Sequence, residues 1–335
     1  MAPLYFRHPA SLEHDTGAHP ERVDRIRAIE AELDGRDWLG FERREAPRVE
    51  EERLLAVHSD THLEAVRKAS ASSRALDLDT PTSPGSWEAA LRSAGGACAL
   101  VEALLEGEAT VGFGGLRPPG HHAGRAKAMG FCLFNNIAVA ARHALDSLGA
   151  ERVFVLDWDV HHGNGTNSLF RSSAEVLYAS IHQWPFYPGT GPLDDAGKEE
   201  GEGYSINLPV PAGSGDDVWL SLVEHVVTPA ARAFDPDLVL ISAGYDAHRD
   251  DPIGGCQLTS SSYAELSRHA RSIADEADAP VGALLEGGYD LDALADSVAA
   301  TMEALEEGGE PGSVARHELT EKAAEQVGRY WDLPA

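Results

Sequence analysis

Short apolar runs alternate with amphipathic segments along most of the chain. Runs of four to seven residues that end where polar residues begin predict buried strands of a parallel sheet, and they lie at Val153–Leu156, Val176–His182, Leu238–Ser242 and Val281–Leu285. Further strands are predicted at Leu4–Phe6, Thr110–Gly112 and Tyr204–Pro209.

Helices are predicted between these strands. Pro20–Leu33 carries apolar residues at Val23, Ile26 and Ile29 behind an opening proline, which is typical of an amphipathic helix. Further helices are predicted at Asp60–Ala69, Trp87–Glu106, Thr166–Phe170, Asp216–Phe234 and Tyr263–Ala274, after Asn136 as far as Ser147, and beyond 290. The alternation predicts an α/β fold with a doubly wound, mostly parallel sheet flanked by helices and an active site at the carboxyl ends of its strands. No repeat or linker interrupts it, so we expect one domain over residues 1–335.

The segment that carries most of the candidate chemistry reads RVFVLDWDVHHGNGTN, from Arg152 to Asn167. Asp157, Asp159 and His161 follow its strand at a spacing of two, which places three candidate ligands on one side of an extended chain. Carboxylate and imidazole together suit a divalent transition metal. A single Asp-x-His pattern also occurs in capped loops, so the interpretation depends on further clusters.

Other predicted strands end in chemically similar residues. A loop stiffened by prolines, RPPGHHA, holds His121 and His122, and adjacent histidines fixed in this way predict an acid/base pair. Asp246 follows the strand Leu238–Ser242, and Tyr289 follows the strand Val281–Leu285. Because parallel strands end at one edge of a sheet, these clusters together predict a metal-dependent active site.

The charge of the chain is strongly negative. It has 55 acidic and 27 basic residues, giving a net charge of −28, and only four lysines. Such a surface repels nucleic acid and anionic membranes, and its self-repulsion disfavours the compact state unless salt screens it. We therefore expect a halophilic protein from a salt-rich cytoplasm; the alternative is an ordinarily acidic mesophilic enzyme.

Cysteine usage and hydropathy favour an intracellular protein. Cys98, Cys132 and Cys256 are far apart and form no C-x-x-C pair, so neither a disulfide framework nor a thiolate zinc site is indicated. The start of the chain lacks the pattern of a secretory signal, and no run approaches the roughly 18 apolar residues of a membrane span. We expect a cytoplasmic location with no membrane contact.

The motifs in order resemble those of the arginase/deacetylase superfamily: RPPGHHA, GFCLFNN, DWDVHHGNGT, FYPGTG, SAGYDAHRDDPIGG and LEGGY. Within it the chain is similar to the zinc-dependent histone deacetylases of the class II type and their bacterial and archaeal relatives. The motifs span residues 117–289 and the flanks also fit, so the resemblance covers nearly the whole chain.

The resemblance implies a role for each matching residue. His121 is oriented by Asp157 and His122 by Asn164, and Tyr289 hydrogen-bonds the developing oxyanion. One catalytic Zn²⁺ is held by three ligands, which match Asp159, His161 and Asp246.

Two further sets of residues also follow from the resemblance. A structural K⁺ ion is held by side chains and carbonyl groups at Asp157, Asp159, His161, Ser180 and Ile181. The tunnel for the acyl-lysine side chain matches Gly130, Phe131, Tyr187, Ile253 and Gly287, although the third of these is more familiar as phenylalanine.

The implied reaction is zinc-dependent hydrolysis of an acetylated amine, such as an acyl-lysine side chain of a protein or a related small acetylamide, to acetate and the free amine. An alternative is an acetylpolyamine amidohydrolase. Polyamine-selective relatives use a rim glutamate, and Ile253 at that position carries no charge, although Asp250 and Asp251 lie close to it and Asp79 can reach the rim.

Arginase-like chemistry needs a second metal and therefore more carboxylates at the same strand ends. His248 and Asn164 occupy positions where a carboxylate would help to bind that metal, so we expect one metal. A non-enzymatic acyl-lysine binding module would be expected to have lost a ligand or the tyrosine, and none is missing.

The charge predicts a salt-dependent stability. Lowering the ionic strength to about 0.01 M lengthens the Debye length to about 30 Å, so more of the acidic surface repels itself. We expect the Tm, measured by circular dichroism, to fall as potassium chloride is removed. A Tm that does not respond to potassium chloride would contradict the halophilic interpretation.

Overall fold

Across residues 1–334, which the computed structural model describes, eight strands form one sheet. The strands are β1 (Leu4–Arg7), β2 (Glu42–Glu45), β3 (Val111–Gly114), β4 (Val153–Asp157), β5 (Val176–Gln183), β6 (Ser205–Val210), β7 (Leu238–Ala243) and β8 (Val281–Leu285). Their order in the sheet is β2-β1-β3-β8-β7-β4-β5-β6, and every neighbouring pair is parallel.

Helices cover both faces of this sheet. They are α1 (Asp24–Gly35), α2 (Glu51–Val57), α3 (Asp60–Ser72), α4 (Ser86–Leu105), α5 (Asn136–Ser147), α6 (Asn164–Phe170), α7 (Asp216–Leu222), α8 (Thr228–Phe234), α9 (Ser260–Glu276), α10 (Leu291–Glu307) and α11 (Glu318–Val327).

Strand β4 shows why the core has two halves. Phe154 and Leu156 belong to the hydrophobic cluster that contains α1, α9 and α10, whereas Val153 and Val155 belong to the cluster that contains α4 and α5. Side chains of a strand alternate between the faces of its sheet, so a strand covered on both faces is apolar throughout. The predicted doubly wound α/β fold is confirmed, and the sheet is wholly rather than mostly parallel.

The differences from the predicted elements have local causes. β2 was not predicted because its sequence, ERRE, is charged, as suits an edge strand that must not pair with another chain. The short helix α2 was also missed. The predicted helix Asp216–Phe234 contains a π-helical turn at Val223–Val227, and the helix predicted from Pro20 begins at Asp24.

Two predictions concern the whole chain, namely its single domain and its lack of a membrane span. That residues 1–335 form one catalytic domain stays a prediction, and Ala335 lies outside the described residues. Among residues 1–334, no helix combines the length and apolar character needed to cross a membrane.

Candidate active site

The carboxyl ends of β4, β7 and β8 lie side by side, and each is followed by acidic residues. β7 lies between β4 and β8 in the sheet, and its Ser242 is the register partner of Asp157 in β4. Asp159 follows β4, Asp246 follows β7 and Glu286 follows β8. The strand order therefore brings together carboxylates that are far apart in the sequence.

Asp159, His161 and Asp246 form a buried group whose ligand atoms all lie within 4.8 Å of one another. His161 Nδ1 lies 3.0 Å from Asp159 Oδ1 and 3.0 Å from Asp246 Oδ2. The backbone N–H of Gly287 donates to Asp159 Oδ2 at 2.9 Å, and that of Val160 donates to Asp246 Oδ1 at 2.8 Å. Two carboxylates and one imidazole are a zinc ligand set, and three protein ligands leave coordination open, as a catalytic site requires.

The charges of this group are poorly balanced by the protein itself. Burial, and then repulsion from Asp159, raise the pKa of Asp246 to about 7. Burial lowers the pKa of His161, but attraction to Asp246 and Asp159 outweighs it and raises that pKa to about 10. Buried like charges at this distance are costly, and a divalent cation relieves the repulsion. The donor set and its charge both fit a zinc ion.

Glycines make room for this group. A Cβ atom at Gly287 would lie 2.2 Å from Asp246 Oδ2, and one at Gly244 would lie 2.1 Å from Asp159 Oδ2. No real Cβ approaches a carboxylate oxygen this closely, so any side chain at either position would displace a candidate ligand.

His121 and His122 lie beside this group on the loop before α5. His121 Nδ1 lies 3.1 Å from Asp157 Oδ2, and His122 Nδ1 lies 2.8 Å from Asn164 Oδ1. The two ring centroids are 4.0 Å apart. The structure thus brings together each histidine and the partner that the sequence predicted for it.

Glu286 fixes the loop that carries the two histidines. Its Oε2 accepts hydrogen bonds from the backbone N–H groups of Gly120, at 2.6 Å, and His121, at 3.1 Å. It also belongs to a second group of candidate ligand atoms, with His121 and Cys132. Because its carboxylate is already hydrogen-bonded to the loop, we assign Glu286 the role of holding the loop rather than that of a metal ligand.

A cavity of about 230 Å³ leads from the surface to these residues, and all five predicted tunnel residues line it. Phe131 and Tyr187 form aromatic walls, the second with 37 % of its surface exposed. Phe131 adopts φ +69°, next to Gly130 at φ +55°, and its N–H donates to Thr80 Oγ1 at 3.2 Å. The sequence did not identify other lining residues, which include Pro119, Cys132 and Phe186.

Comparison with known proteins identifies the family. Residues 19–305 match the histone deacetylase domain. The chain belongs to the histone deacetylase family. It is 37% identical over 326 residues to "Histone deacetylase 14, chloroplastic" of Arabidopsis thaliana, covering 91% of this chain and 77% of that one. It is 39% identical over 275 residues to the "Histone deacetylase-like amidohydrolase" of Pseudomonas aeruginosa, covering 81% and 72%.

A solved structure supports the same family. The crystal structure of the HDA15 HD domain superposes with a TM-score of 0.91 at 37% sequence identity, covering 98% of this chain and 95% of that one. The resemblance stated from the sequence motifs is therefore confirmed. Membership of this family is consistent with a hydrolase that acts on acetylated substrates.

This deacetylase-family chain holds Tyr289 through residues that the sequence did not single out. Arg25 donates from Nε to the carbonyl of Gly288 and from Nη2 to that of Glu286, both at 2.6 Å, and its guanidinium lies 5.1 Å from the centroid of the Tyr289 ring. Glu21 pairs with Arg25 at 3.2 Å. The only feature of the sequence that pointed to this role was the charged Arg25 beside the apolar face of a predicted amphipathic helix.

The histidine pair is polarised by its surroundings. Burial lowers the pKa of His121, but the carboxylates of Asp157 and Asp159 outweigh it and raise that pKa well above the ordinary value. Burial, and then the cationic neighbours His121 and His161, hold the pKa of His122 well below the ordinary value. These opposite directions favour the imidazolium at His121 and the neutral imidazole at His122, and the neutral imidazole is the state that a general base requires.

A carboxylate placed beside His122 should reverse part of this polarisation. We expect Asn164→Asp to raise the pKa of His122, so that the base becomes protonated at a higher pH and the acidic limb of the kcat/KM profile moves upward. We also expect His122→Ala to cost more turnover than His121→Ala, because it removes proton transfer itself. The pH dependence of kcat/KM checks the first expectation. If the limb stayed in place in Asn164→Asp and moved in Asp157→Asn, the two histidines would have to exchange roles.

Proposed function

We propose that the chain is a zinc-dependent deacetylase that hydrolyses the amide of an acetylated amine, in the first place an acyl-lysine side chain of a protein, to acetate and a free amine. The observation that carries the proposal is the grouping of a zinc ligand set, a polarised histidine pair and Tyr289 around one aromatic-walled cavity. The amidohydrolase and deacetylase names of its relatives support the same chemistry.

Asp159, His161 and Asp246 would hold the zinc ion. When bound, zinc supplies Lewis-acid polarisation of a carbonyl group and lowers the pKa of water from about 15.7 toward about 7. The aromatic walls Phe131 and Tyr187 suit the methylene chain of a lysine.

His122 has the geometry of the general base. Its Nδ1 lies 2.8 Å from Asn164 Oδ1, and an amide oxygen accepts only, so Nδ1 carries the hydrogen and Nε2 carries the lone pair. Nε2 can therefore take a proton from the water that attacks the amide carbon. After the C–O bond forms, His122 is an imidazolium, and it returns that proton to the nitrogen as the C–N bond breaks.

His121 and Tyr289 act on the negative charge that develops on the carbonyl oxygen. Burial raises the pKa of Tyr289 well above the ordinary value, so its hydroxyl stays protonated and can donate a hydrogen bond. The imidazolium of His121 adds a fixed positive charge inside a buried site, where electrostatic interactions are strong.

We also propose that Asp157, Asp159, His161, Ser180 and Ile181 would hold a structural K⁺ ion. What supports it is the sheet register, which pairs Asp157 of β4 with Ser180 of β5 and so places a carboxylate opposite a hydroxyl. Oxygen ligands of this kind suit a hard cation.

Hydrolysis of acetylpolyamines is a second candidate, favoured by one observation. Asp79 is one of the residues that line the cavity, and its carboxylate could attract the distal ammonium of a polyamine. Ile253, which also lines the cavity, offers no such charge. The protein substrate therefore remains the first proposal.

Substrate comparison separates the two candidates. We expect the kcat/KM of the zinc-loaded chain for an acetyl-lysine peptide to exceed that for N-acetylspermidine and N-acetylputrescine, because no carboxylate occupies position 253. Acetate release, measured with a coupled assay, gives all three values. A much higher kcat/KM for the polyamines would reverse the preference, and zinc binding without any turnover would indicate a binding module.

Loss of the Tyr289 hydroxyl should affect turnover alone. We expect Tyr289→Phe to bind zinc with unchanged stoichiometry and to lose about two to three orders of magnitude in kcat, as removal of one oxyanion donor does. Atomic absorption and steady-state kinetics check the two parts. Tyr330→Phe is a matched control, since that ring is 41 % exposed and outside the cavity. Unchanged activity in Tyr289→Phe would remove Tyr289 from the mechanism.

A further inference from the structure

Asp251 is a buried carboxylate that binds two loops of the active site at once. It is 7 % exposed. Its Oδ2 accepts hydrogen bonds from the backbone N–H groups of Tyr289, at 2.7 Å, and Asp290, at 3.4 Å. Its Oδ1 accepts from those of Ile253, at 2.9 Å, and Gly254, at 3.2 Å. One side chain therefore joins the segment of Tyr289 to the segment of Ile253, which lines the cavity.

The carboxylate of Asp251 has no ion-pair partner among the described residues. Within residues 1–334, no arginine, lysine or histidine forms an ion pair with it. A buried carboxylate is costly unless hydrogen bonds satisfy it, and here four backbone N–H groups do so. Core packing alone would be served by an apolar side chain. The carboxylate is suited to holding these four N–H groups in place.

Tyr289 needs such an anchor because the two residues before it are glycines, whose backbone can adopt many conformations. Gly287 and Gly288 precede it, and Gly288 adopts φ +115°, a conformation that other residues rarely reach. Two glycines leave the direction of the following side chain undetermined. Arg25 fixes the carbonyl groups on this segment, and Asp251 fixes the N–H of Tyr289 itself.

We propose that Asp251 is a positioning residue for deacetylation: it holds the Tyr289 hydroxyl where the oxyanion develops, and it fixes that position relative to the Ile253 wall of the cavity. This inference rests on the proposed function. The contact of Asp251 is to the backbone, so it acts through Tyr289 and never touches the substrate. Small displacements of a catalytic group have large effects on rate, about 10²-fold for 1 Å.

Asp251→Asn is the sharpest variant. Asparagine has the same shape, but one of its two oxygens becomes an NH₂ group, which faces the N–H groups of one loop and cannot accept from them. We expect kcat for an acetyl-lysine peptide to fall about 10²-fold, with one zinc per chain retained. Asp250→Asn is the matched control, because that neighbouring side chain is 62 % exposed, and we expect it to keep the wild-type kcat.

A double-mutant cycle with Tyr289→Phe distinguishes positioning from general damage. If Asp251 acts through the Tyr289 hydroxyl, Asp251→Asn costs nothing further once that hydroxyl is gone, so the double variant should match Tyr289→Phe alone. If Asp251→Asn lowers kcat by the same factor in both backgrounds, or leaves kcat unchanged in the wild-type background, the proposal is wrong.

Amide hydrogen exchange gives a result that does not depend on turnover. We expect exchange in Asp251→Ser, which lacks both carboxylate oxygens, to accelerate at residues 253–254 and 289–290, and not at the zinc ligands. If the wild-type chain hydrolyses no acetyl-lysine, the proposed function fails, while unchanged exchange at 289–290 would separately reject Asp251 as an anchor. Asp251→Ser serves as a second variant. If neither variant yields folded, zinc-loaded protein, the carboxylate serves the fold and the positioning role is rejected.

Discussion

Four carboxylates are buried at one edge of the sheet, and their mutual repulsion is the constraint that the rest of the site must balance. Asp157, Asp159, Asp246 and Glu286 are each at most 1 % exposed. Backbone N–H groups and histidines compensate part of the charge, and a bound zinc ion would compensate more. The strand order β8-β7-β4 places these residues at neighbouring strand ends. The same arrangement therefore brings the repelling carboxylates together and forms the candidate zinc site.

The same charges explain why two adjacent histidines behave differently. Against the effect of burial, the carboxylates of Asp157 and Asp159 raise the pKa of His121, whereas burial and then the neighbouring His121 lower the pKa of His122. A neutral amide, Asn164, orients His122 without adding charge. One acidic cluster thus favours both a fixed positive charge and a competent base within 4.0 Å of each other.

The sequence predicted the parts of the fold and site that depend on local pattern. Buried strands with polar ends were visible as apolar runs, so Asp157, Asp159, His161 and Asp246 could be placed at one edge. Arg25 could not, because its role comes from contacts with Gly288, 263 residues away. The role of Asp251 likewise depends on a loop 38 residues further along the chain. Such residues look like ordinary surface charges until the fold brings their partners to them.

The central claim is that Asp159, His161 and Asp246 hold a zinc ion on which deacetylation depends. The most direct measurement is a titration of zinc into the metal-free chain, followed by calorimetry and by turnover of an acetyl-lysine peptide in the same samples. We expect one high-affinity zinc per chain, turnover that rises in proportion to its occupancy, and loss of both in Asp246→Asn. Full turnover by the metal-free chain, or zinc binding that survives unchanged in Asp246→Asn, would contradict the claim.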